Sequence, residues 1–109
     1  MRRDTQLEGA ATLFAALGDE TRLKLVKRIG DDGPLSITTL TAGSSITRQA
    51  ITKHLRVMEE AGLIRGIRQG RESLWQLDQQ RLKHARHYLE QISAQWDDAL
   101  GRLRTFVED

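Results

Sequence analysis

The 109-residue sequence has no cysteine. That excludes a disulfide framework, a thiolate metal site, a cysteine nucleophile and a thiol redox switch. No apolar run approaches the ~20 residues needed to cross a bilayer. The opening Met1-Arg2-Arg3-Asp4 is basic, but no apolar stretch with a cleavage site follows it, so nothing marks a signal peptide. These absences place the expected compartment in the cytoplasm, with no membrane partner. The constellations of catalysis are also missing. There is no glycine-rich phosphate loop, no His-Glu-x-x-His run, and no segment that gathers a nucleophile with a histidine and a carboxylate. An enzyme is excluded on that ground, and no cofactor is expected.

What is present describes a single globular domain over residues 1–109. Hydrophobic residues make up 39% and charged residues 29%. A chain of this size buries roughly 65% of its unfolded surface, enough for a core without staples. The net charge of +2 is unevenly spread. Residues 44–75 carry six basic side chains (Arg48, Lys53, Arg56, Arg65, Arg68, Arg71) against three acidic ones, so the remainder is slightly acidic. A basic segment on a near-neutral body implies a local anion-binding surface.

One proline and nine glycines divide the chain. Leu7, Ala10, Phe14 and Leu17 recur at helical spacing over residues 7–17, with Gly18 as a left-handed stop. Asp19 caps a second helix carrying Leu23, Leu25, Val26 and Ile29, which ends at the turn Gly30-Asp31-Asp32-Gly33-Pro34. The two aspartates there read as loop solvation, not as metal ligands. Ser36 caps a short third helix with Ile37 and Leu40. Thr47 caps a fourth, in which Ile51, Leu55 and Met58 face inward and Gly62 closes the end. The period then falls to two. Residues 63–68 and 72–77 read as strands around the turn Gln69-Gly70-Arg71. Asp78 caps a last helix that runs to about Val107.

The expected fold is therefore mostly α with one small hairpin, in the order α-α-α-α-β-β-α. Residues 36–62 form a helix-turn-helix and residues 63–77 a wing. That architecture suits double-stranded DNA, because an α-helix fits the major groove and its N-terminus favours phosphate. With its apolar residues turned inward, the fourth helix leaves Arg48, Gln49, Thr52, Lys53 and Arg56 on the outer side. Arg and Gln can read guanine and adenine edges, while Lys and Thr can hold phosphates. Arg65, Arg68 and Arg71 are expected near the wing tip, on backbone or in a minor groove. A winged helix used for protein contact is the rival class, and it would need an apolar or acidic outer face.

Three spaced motifs also resemble one family. The run Phe14-Ala15-Ala16-Leu17-Gly18-Asp19-Glu20-Thr21-Arg22-Leu23 resembles the opening signature of ArsR-type bacterial transcriptional repressors. So do Ile46-Thr47-Arg48-Gln49-Ala50-Ile51-Thr52-Lys53-His54-Leu55 with Glu59-Glu60-Ala61-Gly62-Leu63-Ile64, and the wing Arg68-Gln69-Gly70-Arg71-Glu72 with Leu74-Trp75-Gln76-Leu77. The resemblance implies a homodimer that represses by occupying a promoter, often its own, and that a signal releases. It implies that residues 47–56 form the recognition helix. His54 has two readings, a donor to DNA or a half-buried packing residue.

In the family, thiophilic metals are sensed through cysteines, and a second type of site uses carboxylates and histidines on the last helix. His84, His87 and Glu90 resemble part of that second site. Its Asp-x-His is absent, because positions 74 and 76 are Leu and Gln. No metal is expected, the alternative being a metal-responsive repressor with a site on the last helix. The sequence names no inducer.

Along residues 79–107, Leu82, Ala85, Leu89, Ile92, Trp96, Ala99, Leu103 and Phe106 alternate spacings of three and four. At ~1.5 Å per residue this seam runs about 44 Å, more than so small a body can cover. A second copy is the expected partner. Its interface would use Leu7 and Phe14 on the first helix, with Leu89, Ile92, Trp96, Leu103 and Phe106 on the last. Trp75 and Trp96 read as packing residues, and Gly101 as a point where the last helix bends or frays. A two-fold dimer implies an inverted-repeat operator with half-sites ~10 bp apart or a multiple of that.

Overall fold

The computed structural model describes residues 5–108, with side chains over residues 8–107. Its elements are α1 (Thr5–Leu17), α2 (Glu20–Asp32), α3 (Ile37–Ala42), α4 (Arg48–Glu60), β1 (Ile64–Gln69), β2 (Glu72–Leu77) and α5 (Gln79–Glu108). No helix of the described residues is long and apolar enough to cross a membrane.

The helix starts follow local chemistry. Asp19, Ser36 and Thr47 each accept the backbone N–H three residues on, at 3.0–3.1 Å. Asp78 Oδ1 accepts from Gln80 and Arg81 N–H groups at 3.1 and 3.2 Å. Each side chain satisfies donors that the first helical turn leaves without an intrahelical partner.

The ends differ more from expectation. Gly18 is not left-handed, and its N–H bonds to Ala15 O at 3.2 Å in a tightened last turn. The left-handed glycines are Gly33, Gly62 and Gly70. The second helix runs past Gly30 to Asp32. Gly30 sits under β2, where an added Cβ would stand 3.1 Å from Leu77 Cδ1. Its place is explained by close approach, not by helix termination. Leu23 is 51% exposed, because Leu25 and Ile29 set the inward face of α2 and Leu23 lies across the helix from them.

The core lies where α1, α2, α3 and α4 meet the base of the hairpin. Leu13, Leu40, Ile51, Leu55, Met58, Leu63 and Ile64 are each at most 2% exposed. In α1 the most deeply buried residue is Leu13, while Phe14 and Leu17 are partly buried at the edge of the cluster. The β1 and β2 strands pair antiparallel from Ile64↔Leu77 to Gln69↔Glu72, so the first strand starts one residue later than its period suggested. Gly70 takes φ 64° and Arg71 does not, as a two-residue type II′ turn requires. Leu35 adds a short bridge to the outer edge of β2, exchanging both backbone bonds with Trp75 at 3.0 and 2.8 Å.

The chain is elongated. Its radius of gyration is 18.2 Å, where a compact domain of this length would have about 13 Å. The cause is α5, uninterrupted through Gly101, whose second half extends beyond the body.

Candidate nucleic-acid interface

Burial of Ile51, Leu55 and Met58 fixes the rotation of α4. Arg48, Gln49, Lys53 and Arg56 are exposed on its outer side, and Thr52 is half-buried at the margin. The first turn of α4 holds no acidic residue, so its positive dipole end is uncompensated by side chains. Thr47 and Thr52 are partly committed to the helix itself. Thr47 Oγ1 accepts from Ala50 N–H at 3.1 Å and keeps its own proton. The Thr52 hydroxyl donates to Arg48 O at 2.9 Å, so towards an outside ligand it offers an acceptor and a methyl group.

His54 lies apart from this outer set. Its side chain is 24% exposed and turns to the junction of α1 and α2. Its Nδ1 stands 3.4 Å from Arg22 Nη1 and 3.9 Å from Asp19 Oδ2. The His54 ring thus stands between the Arg22 guanidinium and the Asp19 carboxylate where α4 meets α2. Arg22 Nε also donates to Ala16 O at the end of α1. One arginine of α2 thus ties α1 to α4. The Asp19 carboxyl is held below its ordinary range, chiefly by the Arg22 N–H and further by the charges of Arg22 and His54. Arg22 and Asp19 lie within the first family-like run, but 32 residues separate Arg22 from His54, and no local spacing links them.

The three wing arginines do not form one group. Arg71 is in the turn, and Arg68 opposite Ser73 is close to it. Arg65 pairs with Gln76 at the base of the hairpin. Arg68 is three positions on from Arg65, so the two-residue strand period sends them to opposite faces. All three are exposed, but Arg65 is not near the tip.

On α5, His87 Nε2 meets Gln91 Nε2 at 3.3 Å and Glu90 Oε1 accepts from Arg86 Nε at 3.1 Å. Among the described residues, no three His, Asp or Glu side chains are grouped to hold a metal ion. The apolar seam splits in two. Leu82 and Ala85 pack on the core, and Tyr88 meets Phe14 with ring centroids 6.4 Å apart. Beyond them Leu89, Ile92, Trp96, Leu103 and Phe106 are exposed, Trp96 by 65% and Phe106 by 81%. Trp96 is therefore no core residue within one chain, whereas Trp75 is partly buried against the core as expected. The Leu7 side chain lies outside the described residues.

Comparison with known proteins agrees with this geometry. A family model described as a helix-turn-helix domain matches residues 17–67. The HTH-type transcriptional regulator YuzN of Bacillus subtilis is 42% identical over 54% of this chain and 71% of its own. The HTH-type transcriptional regulator Rv2034 of Mycobacterium tuberculosis is 33% identical over 87% of this chain and 85% of its own. An ArsR-like transcriptional regulator from Rhodococcus sp. RHA1 superimposes with a TM-score of 0.81 at 32% identity, covering 92% of this chain and 93% of that one. A capped helix with a basic outer side, a hairpin wing behind it and these relatives converge on one assignment: the chain belongs to the ArsR family of winged helix-turn-helix DNA-binding transcriptional regulators.

Proposed function

We propose that the protein is a homodimeric, cytoplasmic repressor that binds an inverted-repeat operator, the promoter of its own gene being the first to examine. The observation that carries this reading is the outer side of α4, where Arg48, Gln49, Lys53 and Arg56 stand exposed with no acid in the first turn. Gln49 and Arg48 read base edges, with Thr52 offering its methyl and its acceptor, and Lys53 and Arg56 hold phosphates. Arg68 and Arg71 add affinity from the wing tip. Arg65 acts on flanking backbone, and Thr47 serves by orienting the helix. His54, turned to the α1–α2 junction, contributes through the ring nitrogen that Arg22 does not meet.

The second copy docks on the exposed seam of α5, from Leu89 to Phe106, together with α1. A two-fold axis there sets two recognition helices in successive major grooves, with half-sites ~10 bp apart or a multiple of it.

Footprinting upstream of the gene, followed by binding across salt concentrations, tests the reading. Gln49→Ala is expected to cost about 1–3 kcal/mol and relax preference at one or two bases. Arg71→Ala should weaken all sequences alike and lower the salt slope by about one unit. A salt slope unchanged in Arg71→Ala, with Gln49→Ala weakening every sequence equally, would contradict it.

A further inference from the structure

A cleft of about 420 Å³ opens between one flank of α2 and the turn joining α3 to α4. Its size falls in the lower part of the range of small-molecule sites. Leu25 and Ile46 give it an apolar surface, and Lys24, Lys27 and Arg28 give it positive charge against the single carboxylate of Asp31.

The three cations differ in their commitments. Arg28 donates to Leu40 O and Thr39 O at 2.9 and 3.2 Å, which anchors α3 to α2. Gly43 makes room for this guanidinium, since a Cβ there would stand 2.5 Å from Arg28 Nη1. Lys27 holds Asp31 at 2.9 Å. Lys24 meets Glu20, outside the cleft, in an exposed pair at 3.2 Å. Such a pair is worth little in water, so the ammonium is readily surrendered to another anion. The cleft also carries hydroxyl donors. Ser44 Oγ accepts from Ile46 N–H at 3.1 Å and keeps its own proton. The Ser45 hydroxyl makes no intramolecular hydrogen bond among the described residues.

We propose that this cleft binds a small organic anion, a carboxylate or phosphate on a compact apolar body, and that its occupancy sets the angle of α4. The Lys24 ammonium and the serine hydroxyls hold the charged end by charge-assisted bonds. The apolar body covers Leu25 and Ile46. Residues 44–46 run directly into the Thr47 cap of α4, so a ligand bridging them to α2 binds one orientation of the recognition helix better than another. That difference in affinity is what an effector requires. The regulatory half of the proposal rests on the DNA-binding reading above, and the binding half does not.

Amide chemical shifts of the full chain, titrated with benzoate, benzamide and inorganic phosphate, test the site without DNA. Benzoate is expected to give saturable shifts at Thr21, Lys24, Leu25 and residues 44–46. Phosphate, without an apolar body, should bind more weakly there, and uncharged benzamide should leave those amides unmoved. Lys24→Gln should weaken benzoate roughly tenfold, the size of one hydrogen bond to a charged group. Ser45→Ala should weaken it less. Both side chains are solvent-exposed, and thermal melting of each variant checks that the fold is kept. Shifts scattered over the surface, equal binding of benzamide, or unchanged affinity in Lys24→Gln would overturn the site.

A second arm separates a free anion from a DNA phosphate. In buffer without added organic anion, Lys24→Gln should leave the salt slope of operator binding unchanged. A slope lower by about one unit would give the anion to the DNA backbone and overturn the free-ligand assignment. Localised benzoate binding by a chain that takes no operator would uphold the site and overturn the DNA reading alone.

Discussion

Two parts of this molecule carry the same apolar periodicity and meet opposite fates. Between Ala10 and Ala85 the repeating residues close into a core in which Leu40, Ile51 and Met58 are fully buried. From Leu89 to Val107 the repeat continues on α5, yet every large apolar side chain there is exposed by 45% or more. Spacing of three and four fixes which residues share a helix face. It does not fix what covers that face. In the body, α1, α2, α3 and the hairpin supply the cover. Along the distal half of α5 no described residue of the body covers the stripe, and exposing it to water costs free energy that the proposed second copy would recover.

The comparison breaks most sharply by substitution on either side of it. Ile51→Ala removes buried methyl groups where α4 meets the rest of the core, and should cost about 2–5 kcal/mol in chemical denaturation at any protein concentration. Trp96→Asp combined with Leu103→Asp should behave differently. It should leave the secondary structure of the body intact while sedimentation reports a monomer, and the melting midpoint should stop depending on concentration. A double variant that still sediments as a dimer would show that the α5 stripe is not the interface.

The sequence showed the helix starts plainly, because a cap is local chemistry among residues three positions apart. Asp19, Ser36, Thr47 and Asp78 needed no knowledge of the rest of the chain. Leu13 was harder to see. In α1 the spacing of Leu7, Ala10, Phe14 and Leu17 is as regular as that of Ala10, Leu13 and Leu17, and the packing of α4 and α5 chose between them. Gly18 shows a similar choice. Asp19 must be extended to cap α2 (φ −139°), so the chain leaves α1 through a tightened turn without a left-handed residue. On α4 the outer set was legible from Ile51, Leu55 and Met58 alone. The inward turn of His54 was not, since it depends on Arg22 from another helix. Arg65 lies at the base of the hairpin, because its place along β1, next to the Ile64↔Leu77 pair, sets its distance from the turn and a count of charges near the hairpin does not.

Smaller changes sharpen the contrast without breaking either part. Thr47→Ala removes the acceptor for Ala50 N–H and should lower the stability of the body by about 1 kcal/mol. Equilibrium unfolding measures it, and the dimer equilibrium should not move. Gly101→Ala probes the other side. The position is helical, and an added Cβ meets nothing within 4 Å. Alanine there should raise stability by up to about 1 kcal/mol if α5 is ordered to its end in solution. Thermal melts at one fixed concentration decide this, and no gain would mean that the distal helix is frayed before unfolding begins.

The smallest effect expected concerns acid. Asp19 has its carboxyl held below the ordinary value of 3.8, first by the Arg22 N–H and then by the charges of Arg22 and His54, against a desolvation that acts the other way. A carboxyl with a lowered pKa in the folded state binds protons more tightly when unfolded, so stability rises with pH through its titration. Its contribution is therefore complete at neutral pH and is lost as the pH falls below 3.8 through the lower folded value. The side chain is partly solvated, so the size is modest, and the loss belongs to the α1–α2 junction alone. Asp19→Asn separates charge from capping, because asparagine still accepts at an N-cap. The stability difference between the parent chain and Asp19→Asn should shrink as the pH falls below 3.8 towards pH 3. Over the same range the dimer constant should not follow Asp19→Asn, since the α5 stripe from Leu89 to Phe106 lies away from that junction. A difference that persisted undiminished to pH 3 would mean that the carboxylate charge of Asp19 does not stabilise this junction.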